Sequence, residues 1–216
     1  MIDPKSQMLG NVAEYYSKRL KKFGATAKGV DWNDPKGQFL RFEQLGKIIL
    51  ESMLTTKIIS IADYGCGYGA FLDYIRQSLP KDVEYDFLGL DISADMIEAS
   101  CQRWQNDERA RFIMGHQPDQ KTDFAVASGI FNVCLDADHA QWQEYILETL
   151  ATMARFSNRG FAFNCLTSYS DEDRKSDHLF YADPCYIFDY CKMNFSRNVA
   201  LLHDYELYEF TILVRQ

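Results

Sequence analysis

The segment Ile58 to Leu72, IISIADYGCGYGAFL, places the tightest constraint on how this chain can fold. Its first five residues are largely apolar and rich in isoleucine, which predicts a buried strand that ends at Asp63. Gly65, Gly67 and Gly69 follow at every second position, and apolar residues then return at helical spacing. The segment therefore predicts a strand, a glycine turn and a helix.

This turn has the geometry of a ligand site, and two cofactor classes use it. Glycine has no Cβ and tolerates positive φ, and the helix that follows offers free N–H groups. Gly65, Gly67 and Ala70 satisfy the dinucleotide pattern G-x-G-x-x-G/A. Asp63 favours another ligand, because a carboxylate would repel a pyrophosphate but attract a cationic amino group.

A second acidic residue follows the next predicted strand. Tyr85 to Leu90 is an apolar run that ends at Asp91, about twenty residues past the glycines. An acidic residue at this position accepts hydrogen bonds from ribose hydroxyls in both cofactor classes. Ser93 then predicts the N-cap of a helix.

The end of the chain distinguishes the two classes. Val199 to Tyr205 and Tyr208 to Val214 read as strands separated by a very short connection. Such a connection requires antiparallel neighbours, because parallel strands need a crossover of about a dozen residues or more. A closing hairpin after alternating strands and helices is not typical of a classical dinucleotide domain.

Asp63, Gly65, Gly67 and Gly69 together resemble the D-x-G-x-G-x-G signature of class I S-adenosylmethionine-dependent methyltransferases. The resemblance covers the whole chain and implies an α/β fold: a Rossmann-like, seven-stranded, mostly parallel sheet with helices on both faces and a C-terminal antiparallel hairpin. It implies an N-terminal helical lid over residues 1–57 and a core over residues 58–216. The remaining predicted helices are Asn11–Phe23, Gln38–Met53, Phe71–Leu79, Trp142–Phe156 and Tyr186–Phe195, and the remaining strands are Arg111–Met114, Asp123–Ser128 and Gly160–Leu166.

The same resemblance implies S-adenosylmethionine as cofactor and assigns its contacts. Arg41 is a candidate partner for the methionine carboxylate, and the alternative is a surface arginine on an amphipathic helix. His116 occupies a position that is usually acidic, so that Gln117 or the backbone could read the adenine amino group instead. We expect Cys66 to act through its backbone N–H. The full predicted cofactor set is Gln38, Arg41, Asp63, Gly65, Cys66, Gly67, Gly69, Asp91, Ile92, Met96, His116, Gln117, Ser128 and Gly129.

The acceptor is expected to be a small polar metabolite, methylated on oxygen or nitrogen, of the kind that includes a sugar or a related biosynthetic intermediate. The net charge of −8 disfavours nucleic acid, and Ser128–Phe131, SGIF, lacks the tetrapeptide of amino-directed nucleic-acid methyltransferases. The long polar and aromatic segment Thr167–Pro184 is the expected acceptor pocket. Its His178 and Tyr181 are the candidate catalytic residues; Asp183 and His139 are further candidates for a base, and proximity alone is the alternative.

Other features bound the remaining possibilities. Six cysteines lack any C-x-x-C pair, so neither a metal site nor a disulfide framework is expected. Without an apolar signal core or a run of roughly 20 apolar residues, we expect a soluble, cytoplasmic monomer or homodimer with no membrane partner. The rival functions are a nucleotide-dependent oxidoreductase, a protein methyltransferase and a non-catalytic, cofactor-binding partner subunit.

Overall fold

The computed structural model describes residues 4–50 and 57–216. Within them, seven strands form one sheet in the order β3-β2-β1-β4-β5-β7-β6. Only β7 runs antiparallel to its neighbours β5 and β6. The strands are β1 (Ile58–Tyr64), β2 (Glu84–Asp91), β3 (Ala110–Met114), β4 (Thr122–Ala127), β5 (Ser157–Leu166), β6 (Asn198–Leu202) and β7 (Glu209–Arg215).

Helices cover both faces of this sheet, because successive strand residues point to opposite sides. Ile59 and Ile61 of β1 pack in one apolar cluster, whereas Ala62 and Tyr64 pack in the other. The first cluster holds α2 (Pro35–Leu50) and α3 (Ala70–Ser78), and the second holds α5 (His139–Phe156) and α6 (Pro184–Asn194). The other helices are α1 (Pro4–Phe23), α4 (Ala94–Arg103) and the short 3-10 turns Ala27–Val30 and Glu172–Arg174.

Side-chain caps fix where several helices begin. The Ser93 hydroxyl accepts a hydrogen bond from the Met96 N–H at 3.3 Å, as the sequence predicts. Asp138 accepts from Ala140 N–H at 3.0 Å and caps α5, and Asp183 accepts from Cys185 N–H at 2.8 Å and caps α6. Each cap satisfies a backbone donor that the first helical turn leaves free.

The predicted fold class is confirmed, and the differences lie at element ends. The first helix begins at Pro4, well before Asn11, and the second begins at Pro35, where proline suits the first helical position. The last predicted residues of that second helix, 51–53, lie outside the described residues. The closing strands pair as predicted, but residues 203–208 connect them, with Glu206 in the left-handed region at φ 56°.

The N-terminal elements are tied to one another and to the core. Tyr15 donates a hydrogen bond to Asp31 at 2.6 Å, and Arg19 pairs with the same carboxylate at 2.7 Å. On the side facing α4, the hydroxyls of Ser17 and Ser93 lie 2.9 Å apart. These contacts hold α1 against the 3-10 turn and against the start of α4.

The predicted acceptor loop, 167–184, is fastened to the segment that follows β4. Val133 forms a β-bridge with Leu179, and the Phe180 N–H donates to the Asn132 carbonyl at 2.8 Å. Among the residues that the structure describes, no helix combines the length and apolar character that a membrane span requires.

Candidate functional site

A cavity of about 960 Å³, its open mouth included, lies at the carboxyl ends of β1, β2 and β4. Parallel α/β sheets bind ligands at this edge, beyond the carboxyl ends of their strands. Residues of the predicted cofactor set that line it are Gln38, Asp63, Gly65, Cys66, Gly67, Asp91, Ile92, Met96, His116, Ser128 and Gly129. The fold therefore gathers residues from five separate parts of the sequence into one cavity, four of them at or after the carboxyl ends of β1 to β4.

Two buried carboxylates face this cavity from adjacent strands. Asp63 and Asp91 are 2% and 9% exposed. Burial raises the pKa of Asp91 to about 6, although the backbone N–H groups of Ser93 and Gly67 favour its charged form. Burial, and secondly the charge of Asp91, raises the pKa of Asp63 well above its usual value. A cationic or hydroxyl-bearing ligand would relieve this cost, whereas a phosphate would add to it.

The glycine turn binds the second carboxylate directly. The Gly67 N–H donates to Asp91 Oδ2 at 2.9 Å, and the Cys66 N–H donates to the Leu90 carbonyl at 2.9 Å. The Gly69 N–H donates to the Cys66 carbonyl at 2.9 Å. These N–H groups are thus used inside the protein, and the expectation that the Cys66 N–H serves a ligand does not agree with this geometry.

Gly67 and Gly129 are among the glycines of the cavity wall that leave no room for a side chain. Gly67 has φ 54°, and a Cβ there would lie 2.9 Å from Val30. Gly129 has φ 76°, and a Cβ there would collide with the indole of Trp32. Both positions are therefore restricted to glycine by backbone conformation and by space.

The N-terminal elements supply one wall of the cavity. Val12 and Tyr16 of α1 line it, as do Val30 of the 3-10 turn and Trp32 of the loop before α2. Burial raises the pKa of Tyr16 above its ordinary range, helped by the nearby charge of Asp31. The predicted lid segment therefore lies against the predicted cofactor residues.

Two hydroxyl groups in the wall have no hydrogen-bond partner among the described residues. They belong to Tyr64, which ends β1, and Ser128, which follows β4. Burial raises the pKa of the Tyr64 phenol, so this hydroxyl remains protonated at neutral pH. Two buried carboxylates, two unpaired hydroxyls and glycines that keep the walls open form a donor and acceptor set that fits a cofactor with an amino group, ribose hydroxyls and an adenine ring.

Five residues of the predicted site do not line the cavity. Arg41 is paired with Glu209, and Gln117 accepts a hydrogen bond from Arg155 at 3.1 Å. Gly69 faces Trp104 and Phe112. The two predicted catalytic residues, His178 and Tyr181, also lie outside it.

The contacts of the 167–184 loop explain the positions of its two candidates. The His178 carbonyl accepts from the Cys134 and Leu135 N–H groups, and the Tyr181 hydroxyl accepts from the Ser176 N–H at 2.9 Å. No residue of this fully described loop lines the cavity. The loop therefore lies outside this cavity, and its role as the acceptor pocket stays a prediction.

Several lining residues were not predicted from the sequence. Tyr145 and Thr149 of α5 reach the cavity from one face of the sheet, and Phe42 and Phe71 reach it from α2 and α3. Each occupies an ordinary amphipathic position, so that only the packing of its helix reveals its place. The sequence offers one indication of this wall, which is that aromatic residues such as Phe71 lie close to the glycine turn.

Comparisons with known proteins agree with this geometry. A sequence profile described as "Methyltransferase domain" matches residues 61–160. The Mycobacterium tuberculosis (strain ATCC 25618 / H37Rv) protein named "Putative methyltransferase Rv1506c" is 50% identical over 157 residues, which cover 73% of this chain and 93% of that protein.

Solved structures share the fold at low sequence identity. Magnesium protoporphyrin IX methyltransferase (ChlM) from Synechocystis PCC 6803, with bound SAH, has a TM-score of 0.67 at 12% identity and covers 96% of this chain and 99% of its own. The N-methyltransferase NodS from Bradyrhizobium japonicum WM9, in complex with S-adenosyl-l-homocysteine, has a TM-score of 0.66 at 14% identity and covers 95% and 98%. With Asp63, Gly65 and Gly67 of its signature around one cavity, and with a relative of this identity, the chain belongs to the class I S-adenosylmethionine-dependent methyltransferases.

Proposed function

We propose that this cavity binds S-adenosylmethionine beside a small-molecule acceptor and that the chain transfers the methyl group between them. The observation that carries the proposal is the placement of Asp63 and Asp91, both buried, in a cavity that the N-terminal elements help to enclose. Asp63 would pair with the amino group of the methionine moiety. Asp91 would accept hydrogen bonds from the ribose hydroxyls through the lone pairs that Gly67 and Ser93 leave free.

The adenine end lies beyond the second strand in this proposal. Ile92 and Met96 are the apolar residues that would flank the ring. His116, in the loop that follows β3, is a polar residue that lines the cavity on this side. His116 thus replaces the usual acidic residue, and Gln117 is no longer needed for that role. Ser128 and Gly129 would border the methionine end, close to Gly65.

The acceptor side follows from the remaining walls. They are mainly apolar and aromatic and include Val30, Trp32, Phe42, Tyr68, Phe71 and Ile130. We therefore propose an acceptor that joins an oxygen or nitrogen nucleophile to an apolar face, which includes aromatic compounds and the C–H face of a sugar ring. The related folds act on different acceptors, since one is named for magnesium protoporphyrin IX and one as an N-methyltransferase.

The bound cofactor supplies an electrophilic methyl group, and the chain supplies position and shelter from water. Among the described residues that line the cavity, His116 is the imidazole, and it lies on the proposed adenine side. Asp63 and Asp91 are assigned to cofactor contacts. Methyl transfer by proximity, to a nucleophile that is already neutral or anionic, therefore suits this site better than general-base catalysis.

Calorimetric titration with S-adenosylmethionine and with NADH tests the cofactor. Tight binding of NADH with no heat from S-adenosylmethionine would overturn the proposal. Turnover is tested by release of S-adenosylhomocysteine with a panel of phenols, amines and aminosugars, and with a basic peptide as the protein-like alternative. Methylation of the peptide alone would replace the small-molecule acceptor by a protein, and cofactor binding without any turnover would favour a partner subunit.

A further inference from the structure

Glu209 is a buried carboxylate at the start of β7, and it lies outside the cavity described above. Its side chain is 1% exposed, and it accepts hydrogen bonds from Arg41 Nε at 2.9 Å and from Arg41 Nη2 at 2.5 Å. Arg41 itself is only 12% exposed. A buried ion pair is a weak source of net stability, because desolvation offsets much of the attraction, so its position calls for another explanation.

Arg41 connects this carboxylate to the cavity wall. Its guanidinium lies 3.9 Å from the centroid of the Trp32 ring. Trp32 lines the cavity, and the edge of its indole occupies the space where Gly129 would carry a Cβ. The guanidinium, fixed by Glu209, therefore holds the indole close to Gly129.

A second set of hydrogen bonds reaches Gly129 from the other side. Asn164 Nδ2 donates to Glu209 Oε2, and Asn164 Oδ1 accepts from the Gly129 N–H at 2.8 Å. One carboxylate is thus linked through Arg41 to Trp32 and through Asn164 to Gly129. Trp32 and Gly129 lie against each other in the cavity wall.

We propose that Glu209 is a positioning residue, which sets the distance between Trp32 and Gly129 and so the width of the cavity at the proposed methionine end. The assignment of that end rests on the proposed function; the positioning of Trp32 does not. A purely structural role for the pair would stabilise the fold without a specific effect on Trp32.

The test replaces Glu209 by glutamine and follows the indole groups. Glu209→Gln keeps the volume and an acceptor oxygen but removes the charge that fixes Arg41. Because the chain has three tryptophans, ¹⁵N-labelled protein gives three indole signals, and Trp32→Phe assigns one of them. Asp119→Asn is the control, since it removes the carboxylate of an exposed bidentate ion pair with Arg111. Should Glu209→Gln fail to fold, Arg41→Met combined with Glu209→Gln removes both charges and allows the same measurement.

The expected result is a shifted or broadened Trp32 signal in Glu209→Gln, with the Trp104 and Trp142 signals and the control protein unchanged. The dissociation constant of S-adenosylmethionine should rise about 2- to 30-fold, the range for substitutions that act on a site through other residues. An unchanged Trp32 signal, or equal changes in all three indole signals, would overturn the positioning role. If wild-type protein fails to bind S-adenosylmethionine, the proposed function fails, and the Trp32 signal still decides the positioning role.

Discussion

The carboxylate of Asp91 accepts a hydrogen bond from the Gly67 N–H at 2.9 Å, across 24 residues of sequence. Its other oxygen accepts from the Ser93 N–H at 2.9 Å. One side chain therefore fixes the glycine turn and the start of α4 together. Asp91 and the glycine turn therefore depend on each other structurally, which explains why both are present in the sequence.

Replacement of Asp91 by alanine should weaken the binding of S-adenosylmethionine by about 1–3 kcal/mol, the cost of leaving buried polar partners unpaired. Isothermal titration calorimetry measures the change. Asp86→Ala is the control, because Asp86 lies on the same strand but is exposed at its other end. An affinity equal to that of the wild type would show that Asp91 does not bind the cofactor.

The raised carboxyl pKa values predict a pH dependence. Asp91 has a pKa of about 6 in the folded protein, above the value of about 4 in the unfolded chain. Between these two pH values the folded state therefore binds more protons than the unfolded state. The stability of the ligand-free protein should therefore fall as the pH rises through 6, and thermal melts at a series of pH values measure this. A flat profile between pH 4 and about 7 would contradict the burial of the charge.

Binding of a cation next to Asp63 should release protons, because it favours the ionised form of a carboxyl whose pKa burial has raised. Calorimetric titrations at pH 6 in buffers with different ionisation enthalpies count the protons released on addition of S-adenosylmethionine. Asp63→Asn should release fewer. An equal release from wild type and Asp63→Asn would rule out Asp63 as the partner of the amino group.

Replacement of Gly129 by alanine should reduce both stability and cofactor affinity, because it combines a positive φ with a collision against Trp32. Gly24→Ala shares the positive φ but meets nothing within 4 Å, so it should lose only about 1–2 kcal/mol. Gly129→Ala should lose about 1–3 kcal/mol more from overpacking. Denaturant unfolding measures these differences. In a Trp32→Ala background, the additional loss of stability caused by Gly129→Ala should disappear. If it persists there, the collision is not with Trp32.

The two loop candidates should be nearly silent in catalysis. His178→Ala and Tyr181→Phe should keep turnover within about a factor of two, as expected for surface changes outside the site. His116→Ala should instead raise the dissociation constant of S-adenosylmethionine, since His116 lines the cavity. Initial rates of S-adenosylhomocysteine release and calorimetry separate these effects. Loss of turnover in His178→Ala with unchanged cofactor affinity would restore its catalytic role.

Local sequence patterns predicted the cavity residues that lie at or just after the ends of strands. Asp63, Gly65, Gly67 and Asp91 each sit at the end of a strand, where the switch from an apolar run to glycine or aspartate is visible in the sequence. Arg41 shows the limit of such patterns. Its partner Glu209 is 168 residues away, and only the insertion of β7 next to β5 brings the two together.

Loop length did not indicate which segments line the cavity. The 167–184 segment is polar, aromatic and long, but the β-bridge between Leu179 and Val133 ties it to the segment after β4, and none of its residues lines the cavity. The cavity wall comes instead from Tyr16, Val30 and Trp32, whose place depends on how α1 and α2 pack.

The position of β7 has a consequence for the order in which the molecule is built. It is the last of the strands that the structure describes and yet lies between β5 and β6, so that β6 has no partner strand until β7 has been synthesised. Because β7 also carries Glu209, a ribosome-bound chain that stops short of this strand holds every carboxylate of the cavity but lacks the residue that secures Arg41. Completion of the sheet and completion of the Trp32 wall are the same event.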